Sequence, residues 1–292
     1  MSINSLSPLA ISQLSTTVIS QQTTTDLAAL TSTSLGAISA AGLAQLSQTQ
    51  IDAISTTAVV GLTKTQIPAL QANVVFDSTQ LLLFSSQQVS ALSTSELSSF
   101  ITTDFSNLTS TQVTGLTSTQ LSYLSGTDIS LLTTTAIRTL STSQLGDIST
   151  THLGQLTTSA VSNLTAAQLA SLSVSNLSAL SAQISTLDTT QVQGLAASQL
   201  SGLNTAVLNN LTTTQVGELT STQVQALNAT QLGESVTTFV AGLTSTQFGQ
   251  LSTAQINALG ATNVASLATS IVAGITGTQL AGLTTTTIAA LG

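Results

Sequence analysis

The chain has 292 residues, of which 41% are hydrophobic but only 4% charged; it contains no Cys and carries a net charge of −8. Two basic residues, Lys64 and Arg138, cannot neutralise a phosphate track, which excludes nucleic acid as a partner and argues against docking on anionic lipid heads. The lack of Cys excludes disulfides and thiolate metal sites, and the steady recurrence of Leu, Ile and Val excludes simple disorder.

The first residues, MSINSLSPLAISQLSTTVIS, have neither a basic segment nor a continuous apolar run, so no cleaved signal peptide is expected. Ser, Thr, Gln or Asn interrupts every apolar stretch downstream, and no transmembrane segment is predicted. From Leu6 onward the apolar residues form a ladder. In the middle of the chain it runs Leu108, Val113, Leu116, Leu121, Leu124, Ile129, Leu132, Ile137, Leu140, with steps of five and three. The unit is an octad, and about 36 of them tile the chain. With no linker and no shift in composition, residues 1–292 read as one continuous repeat domain. The pattern slips in four places. Gln22 and Ser235 replace ladder residues, the octad near Val74 to Phe76 is shortened, and one residue is lost around Gln183 and Ile184, between Leu180 and Leu187.

One octad, starting at Leu219, shows what the repeat builds. Thr220 comes next, then Gln223, then Val224. A Ser or Thr with Gln three residues later is the capping box of a helix start, and the apolar residues on either side occupy the hydrophobic-staple positions. Caps recur at Thr109, Thr117, Ser125, Thr133, Ser141, Ser149, Thr157, Thr165 and Ser173, then at Asp188, Asn204 and Asn228. The box slot carries Gln112, Gln120, Gln144, Gln168, Gln191, Gln199, Gln215, Gln223, Gln231, Gln247, Gln255 and Gln279. Asp26, Glu96, Asp104 and Asp128 stand in the same slot, where acids suit a first helical turn. Each helix is predicted to be about two turns, roughly 10 Å long. Alone it would not survive in water. Its apolar stripe has to be buried against neighbours, which predicts an all-α solenoid, a superhelix of short helices around a Leu/Val/Ile core. The alternative is a β-solenoid, favoured by the Thr, Val and Ile content. Against it, two odd steps would send successive ladder residues to opposite faces of a strand.

Nothing in the pattern selects a catalytic, cofactor-binding or metal-binding residue, and no enzyme is expected. His152, the single histidine, stands in a box slot and reads as a polar substitute there. The acids are scattered. Asp147 and Asp188 stand alone, and Glu218 and Glu234 are two octads apart. The region from Gly260 to Gly292 is slightly richer in Gly but lacks a phosphate-binding pattern. Asn-x-Ser/Thr triplets at Asn107, Asn163, Asn176, Asn210 and Asn228 arise wherever Asn precedes a ladder Leu and its cap, or is itself a cap. Runs such as Thr133-Thr134-Thr135, Thr212-Thr213-Thr214 and Thr284 to Thr287 place rows of hydroxyls on one side of the repeat, as an ice-binding or adhesive face would.

A surface with so few charges resists self-contact poorly, since soluble surfaces are ordinarily about 25–35% charged. The first octads, LSPLAISQL, and the last, GLTTTTIAALG, look like ordinary repeat rather than polar caps, which predicts head-to-tail or lateral pairing with copies of the same chain.

The phrases LTSTQVQAL, LTSTQFGQL, LSTAQINAL and LTAAQLASL resemble the L-[ST]-x-x-Q-[IVL]-x-x-L arrays of large, acidic, Cys-free secreted or surface proteins of proteobacteria, often described as adhesin-like. The resemblance covers nearly the whole chain. It implies an extracellular or cell-surface protein, exported without a cleaved N-terminal signal. This chain departs from those arrays in lacking calcium-binding nonapeptides and a distinct C-terminal export segment. It shows no haem ligand set, and no haem binding is carried over. Together these readings lead to the expectation of a non-enzymatic, self-assembling structural protein forming an extracellular fibre, surface layer or biofilm scaffold, with an ice-binding or adhesion module as the alternative.

Overall fold

Capping chemistry at the start of each octad restarts the chain as a new helix. The computed structural model describes residues 2–70, 75–98 and 102–291. Those residues form 34 α-helices of four to six residues and two 3₁₀ turns, Ile3–Ser5 and Ile184–Thr186, and no strand. The protein is therefore all-α, and the helices are slightly shorter than the two turns predicted. The Ser221–Ala226 helix is representative. Thr220, in extended conformation, accepts the Gln223 N–H through its hydroxyl at 3.3 Å, and Gln223 Oε1 accepts the Thr220 N–H at 2.8 Å. The helix stops at Leu227, which returns to extended backbone and leads into the next cap, Asn228. Asp77 and Asp188 cap helices in the same way. At Ala196 half of the box survives: Gln199 Oε1 still takes the Ala196 N–H at 2.7 Å, but no side chain returns the bond.

Gly260 is the one residue with positive φ (78°) among those described. No Ser, Thr, Asp or Asn stands at this start. The left-handed Gly instead links the Thr253–Ala258 and Gly260–Ala265 helices across Leu259.

The chain separates into two compact units, Met1–Ile148 and Ser149–Gly292. In each, a helix packs against the third helix after it. The Ser110–Val113 helix packs on Thr134–Thr139 in the first unit, and Ala197–Gly202 packs on Ser221–Ala226 in the second. Both ladder residues of most octads point inward, although Leu280 and Ile288 of the last octads are exposed. Leu116, Leu121, Leu124 and Ile129 are buried in the first unit, as are Leu219, Val224, Leu227 and Leu232 in the second. Burying one such side chain contributes roughly 1.5–3 kcal/mol, so the ladder is the main source of stability for helices too short to persist alone. The two ladder substitutions are buried as well. Ser235 donates to the Gln231 carbonyl at 2.6 Å, and Gln22 to the Val18 carbonyl at 2.9 Å.

Successive coils approach to backbone contact. A Cβ on Gly61 would lie 1.9 Å from the Ser32 carbonyl oxygen, and one on Gly115 would lie 2.2 Å from that of Ser86. Only Gly fits where a helix end crosses the start of a helix 29 residues earlier this closely. At the equivalent crossings Asp147 bonds the Ser118 hydroxyl, and Glu234 takes the Thr205 hydroxyl at 2.8 Å.

Candidate functional site

The conspicuous polar feature is interior. Gln80, Gln88, Gln112, Gln120 and Gln144 in the first unit, and Gln191, Gln199, Gln215, Gln223 and Gln231 among those in the second, are all buried. Each does more than complete a capping box. Gln223 Nε2 donates to the carbonyls of Val192 at 2.9 Å and Leu195 at 2.7 Å, with a longer contact to Gln193 at 3.3 Å. Val192 lies in the Thr189–Gly194 helix and Leu195 is its C-cap. Gln120 likewise donates to Val89 and Leu92, both at 2.8 Å. The side chain thus satisfies an N–H at the start of its own helix and carbonyls at the end of a helix four octads back. The Thr220 N–H and the Leu195 carbonyl belong to the groups a short helix leaves without internal partners, while the Val192 carbonyl also accepts the Leu195 N–H at 3.2 Å. Since a helix packs on the third before it and its amide reaches the fourth, one coil holds between three and four octads.

The amide row stays in register through the irregular octads. Gln120 and Gln223 reach back 31 and 28 residues. Gln80 and Gln88, whose intervals contain the shortened stretch before Phe76, reach back 29 and 26. Gln191 and Gln199, spanning the loss near Gln183, reach back 30 and 27. The missing residues are absorbed locally, and the carbonyl-to-amide match continues. Residues 71–74 of the first slip lie outside the described residues.

At two slots held by another residue type, an amide from the coil below supplies the bond. Phe239 fills the slot after Val236, and the Val236 N–H donates to Asn209 Oδ1 at 3.1 Å. Thr287 fills it after Thr284, whose N–H donates to Asn257 Oδ1 at 3.0 Å. Two buried amide oxygens, of Gln22 and Gln183, have no protein hydrogen-bond partner. For Gln183 the cause is the lost residue: a 3₁₀ turn, Ile184–Thr186, replaces the helix whose starting N–H this oxygen ordinarily takes.

The chemically reactive residue types are engaged in the same scaffold. Ser149 Oγ accepts the backbone N–H of His152 at 3.1 Å, so the hydroxyl is aimed at the helix start rather than the imidazole. The His152 Nδ1 is buried without a hydrogen-bond partner. Asp26 accepts from the Thr23 hydroxyl at 2.7 Å and the Ser2 hydroxyl at 2.7 Å; these bonds, Thr23 first, hold its carboxyl below the usual range. Asp128 closes a box with Ser125, and Asp52 accepts from Gln48 at 2.7 Å. Glu96 and Asp104 are buried in box slots, and burial pushes the Glu96 carboxyl up to about 7. Among the described residues no group of three or more His, Asp or Glu side chains is placed to hold a metal ion, and no helix is long and apolar enough to cross a membrane. The Asn-x-Ser/Thr hydroxyls are committed too: Thr109 and Thr165, two residues after Asn107 and Asn163, are N-caps bonded to their own helices.

The capping role of the Gln slot can be read from spacing; its reach to the coil below cannot. One signal for it is present in the sequence. Glu closes a capping box as well as Gln does, yet the slot is dominated by the one side chain that also carries two N–H donors. No protein-family model matches this chain, and no characterised protein is significantly similar to it.

Proposed function

We propose that this is a structural, non-enzymatic protein whose octad array is its working part, acting outside a bacterial cell as a self-associating fibre, layer or biofilm scaffold. The observation that carries this reading is the use of side chains. Amides, hydroxyls and carboxylates of the kinds that do chemistry elsewhere are bonded between one coil and the next or to helix starts. What faces water at a typical octad is the Thr220-Ser221-Thr222 cap segment, uncharged and repeated at each helix start. Such a surface has little repulsion against a copy of itself. The extracellular assignment rests on the resemblance to secreted proteobacterial octapeptide arrays. Negative-stain microscopy with sedimentation velocity tests the reading. Fibres, sheets or concentration-dependent oligomers are expected, and a monodisperse monomer from micromolar to millimolar concentration would refute it.

A second reading draws on the same exposed segments. Thr212, Thr213 and Thr214 are all exposed, as are Thr220, Ser221 and Thr222 in the next octad, giving a periodic hydroxyl face. An ice-binding or adhesive role would use that face, and a thermal-hysteresis assay separates it from the scaffold reading.

A further inference from the structure

The ties between coils follow one another along the chain. In the second unit Gln215 donates to the Ile184 and Leu187 carbonyls at 3.0 and 2.8 Å, and Gln223 to those of Val192 and Leu195 at 2.9 and 2.7 Å. Gln231, one octad further on, donates to those of Leu200 and Leu203 at 2.8 and 2.7 Å. Gln247 sits in turn on the helix that carries Gln215, with bonds to Val216 and Leu219 at 2.9 and 2.7 Å. Packing obeys the same order. The Thr189–Gly194 helix packs on Thr213–Glu218, which packs on Thr237–Ala241, which packs on Gly260–Ala265. The crossings fix the length of a coil. A Cβ on Gly242 would press on the Thr213 carbonyl and one on Gly274 on that of Ser245, so the chain returns over itself after 29 residues.

This arrangement decides how the chain yields to a pull. The amide ties are strung along the chain in series, one to an octad. Tension on a chain leaving the stack therefore loads the outermost octad, and its release passes the load to the next one back. A coil in the interior is held from two sides and a coil at the edge from one, so the edge goes first. Stability in such an array is a sum of local and nearest-neighbour terms. The loss of one coil leaves the next with the same kind of support beneath it that the first had. A released octad is too short to persist as an isolated helix and passes to extended chain, while the intact edge remains as the surface on which it re-forms.

We propose that the array is a load-bearing tether that lengthens under tension octad by octad at nearly constant force, and shortens again onto the coils that remain. One coil of 29 residues yields about 10 nm of extended chain, at roughly 3.3–3.6 Å per residue. The inference concerns a single molecule and stands whether or not copies associate.

Optical-tweezers extension of the full chain tests it. The protein has no Cys, so Ser159→Cys with Thr286→Cys, both at exposed positions in the second unit, supplies the only two handles. The segment between them reaches about 45 nm when fully drawn out. Extension is expected to follow a force plateau in increments of one coil or less, each no more than about 10 nm. Release of more than one coil in a single event overturns the proposal. When the pull is relaxed with half the segment still folded, the lost length should return; a segment that stays extended overturns the tether. Gln223→Met between the same handles should lower the force over one increment and leave the rest of the plateau unchanged. A variant that lowers the force throughout, or nowhere, means that release is not local and overturns the proposal as well.

Discussion

Replacing Gln223 by Met tests the amide row directly. Met matches the length of Gln and fills the same buried space, so the change removes hydrogen bonds with little change in packing. Three backbone groups lose the side chain: the Thr220 N–H at 2.8 Å, the Leu195 carbonyl at 2.7 Å and the Val192 carbonyl at 2.9 Å. Val192 keeps a bond from the Leu195 N–H at 3.2 Å. The Thr220 N–H and the Leu195 carbonyl have Gln223 as their hydrogen-bond partner. Leaving a buried group unsatisfied costs about 1–3 kcal/mol, and Thr220 is exposed enough for water to reach its N–H, so the sum is about 2–4 kcal/mol. Urea unfolding monitored by far-ultraviolet circular dichroism measures it, with Gln225→Met as the control. Gln225 is exposed and its side chain donates to Gln250 Oε1 at 3.1 Å, on the surface. A Gln223→Met midpoint within error of the Gln225→Met midpoint would refute the view that the row holds the coils together.

Phe239→Ala removes one of the two largest fully buried side chains from a slot most often given to Gln and should cost about 3–5 kcal/mol in the same assay. Gly61→Ala forces a Cβ to 1.9 Å from the Ser32 carbonyl and should lower the thermal midpoint sharply, because backbone must move to admit it. Gly146→Ala, at a helix end where an added Cβ would meet no other part of the protein within 4 Å, should leave the midpoint unchanged or raise it.

Much of the fold is legible in the letters because it is local. An octad such as LTSTQVQA carries its cap, its box and both ladder residues within eight positions, and the helix start forms as that chemistry requires. The slips are legible as well, since a step of four between Leu180 and Ile184 breaks a fixed alternation. Contacts 28 or 31 residues away are not. The number of octads per coil depends on how Leu and Val side chains pack between helices and on how closely positions such as Gly61 and Ser32 approach, and neither leaves a periodic mark of its own. The second role of Gln223 therefore stays hidden behind its first. The interval in the amide row shrinks by the number of residues lost, two before Phe76 and one near Gln183. The array is held by the match between carbonyls and amides rather than by a fixed residue count. The buried acid at position 96 is a departure from that rule which spacing alone would file with Asp26, an acid in the same slot that is not buried.

The direction of those amide bonds has a consequence for how such a chain comes into being. Each Gln of the row finds its carbonyl acceptors in polypeptide that precedes it, as Gln120 does at Val89 and Gln223 at Val192. A molecule leaving the ribosome or a membrane pore with its N-terminus first can close each new octad onto a platform that is already complete. The tie from Gln50 to the Gln22 carbonyl at 2.8 Å, for example, closes over the 28 residues made just before it. Growth from the other end would have every donor waiting for a floor not yet laid.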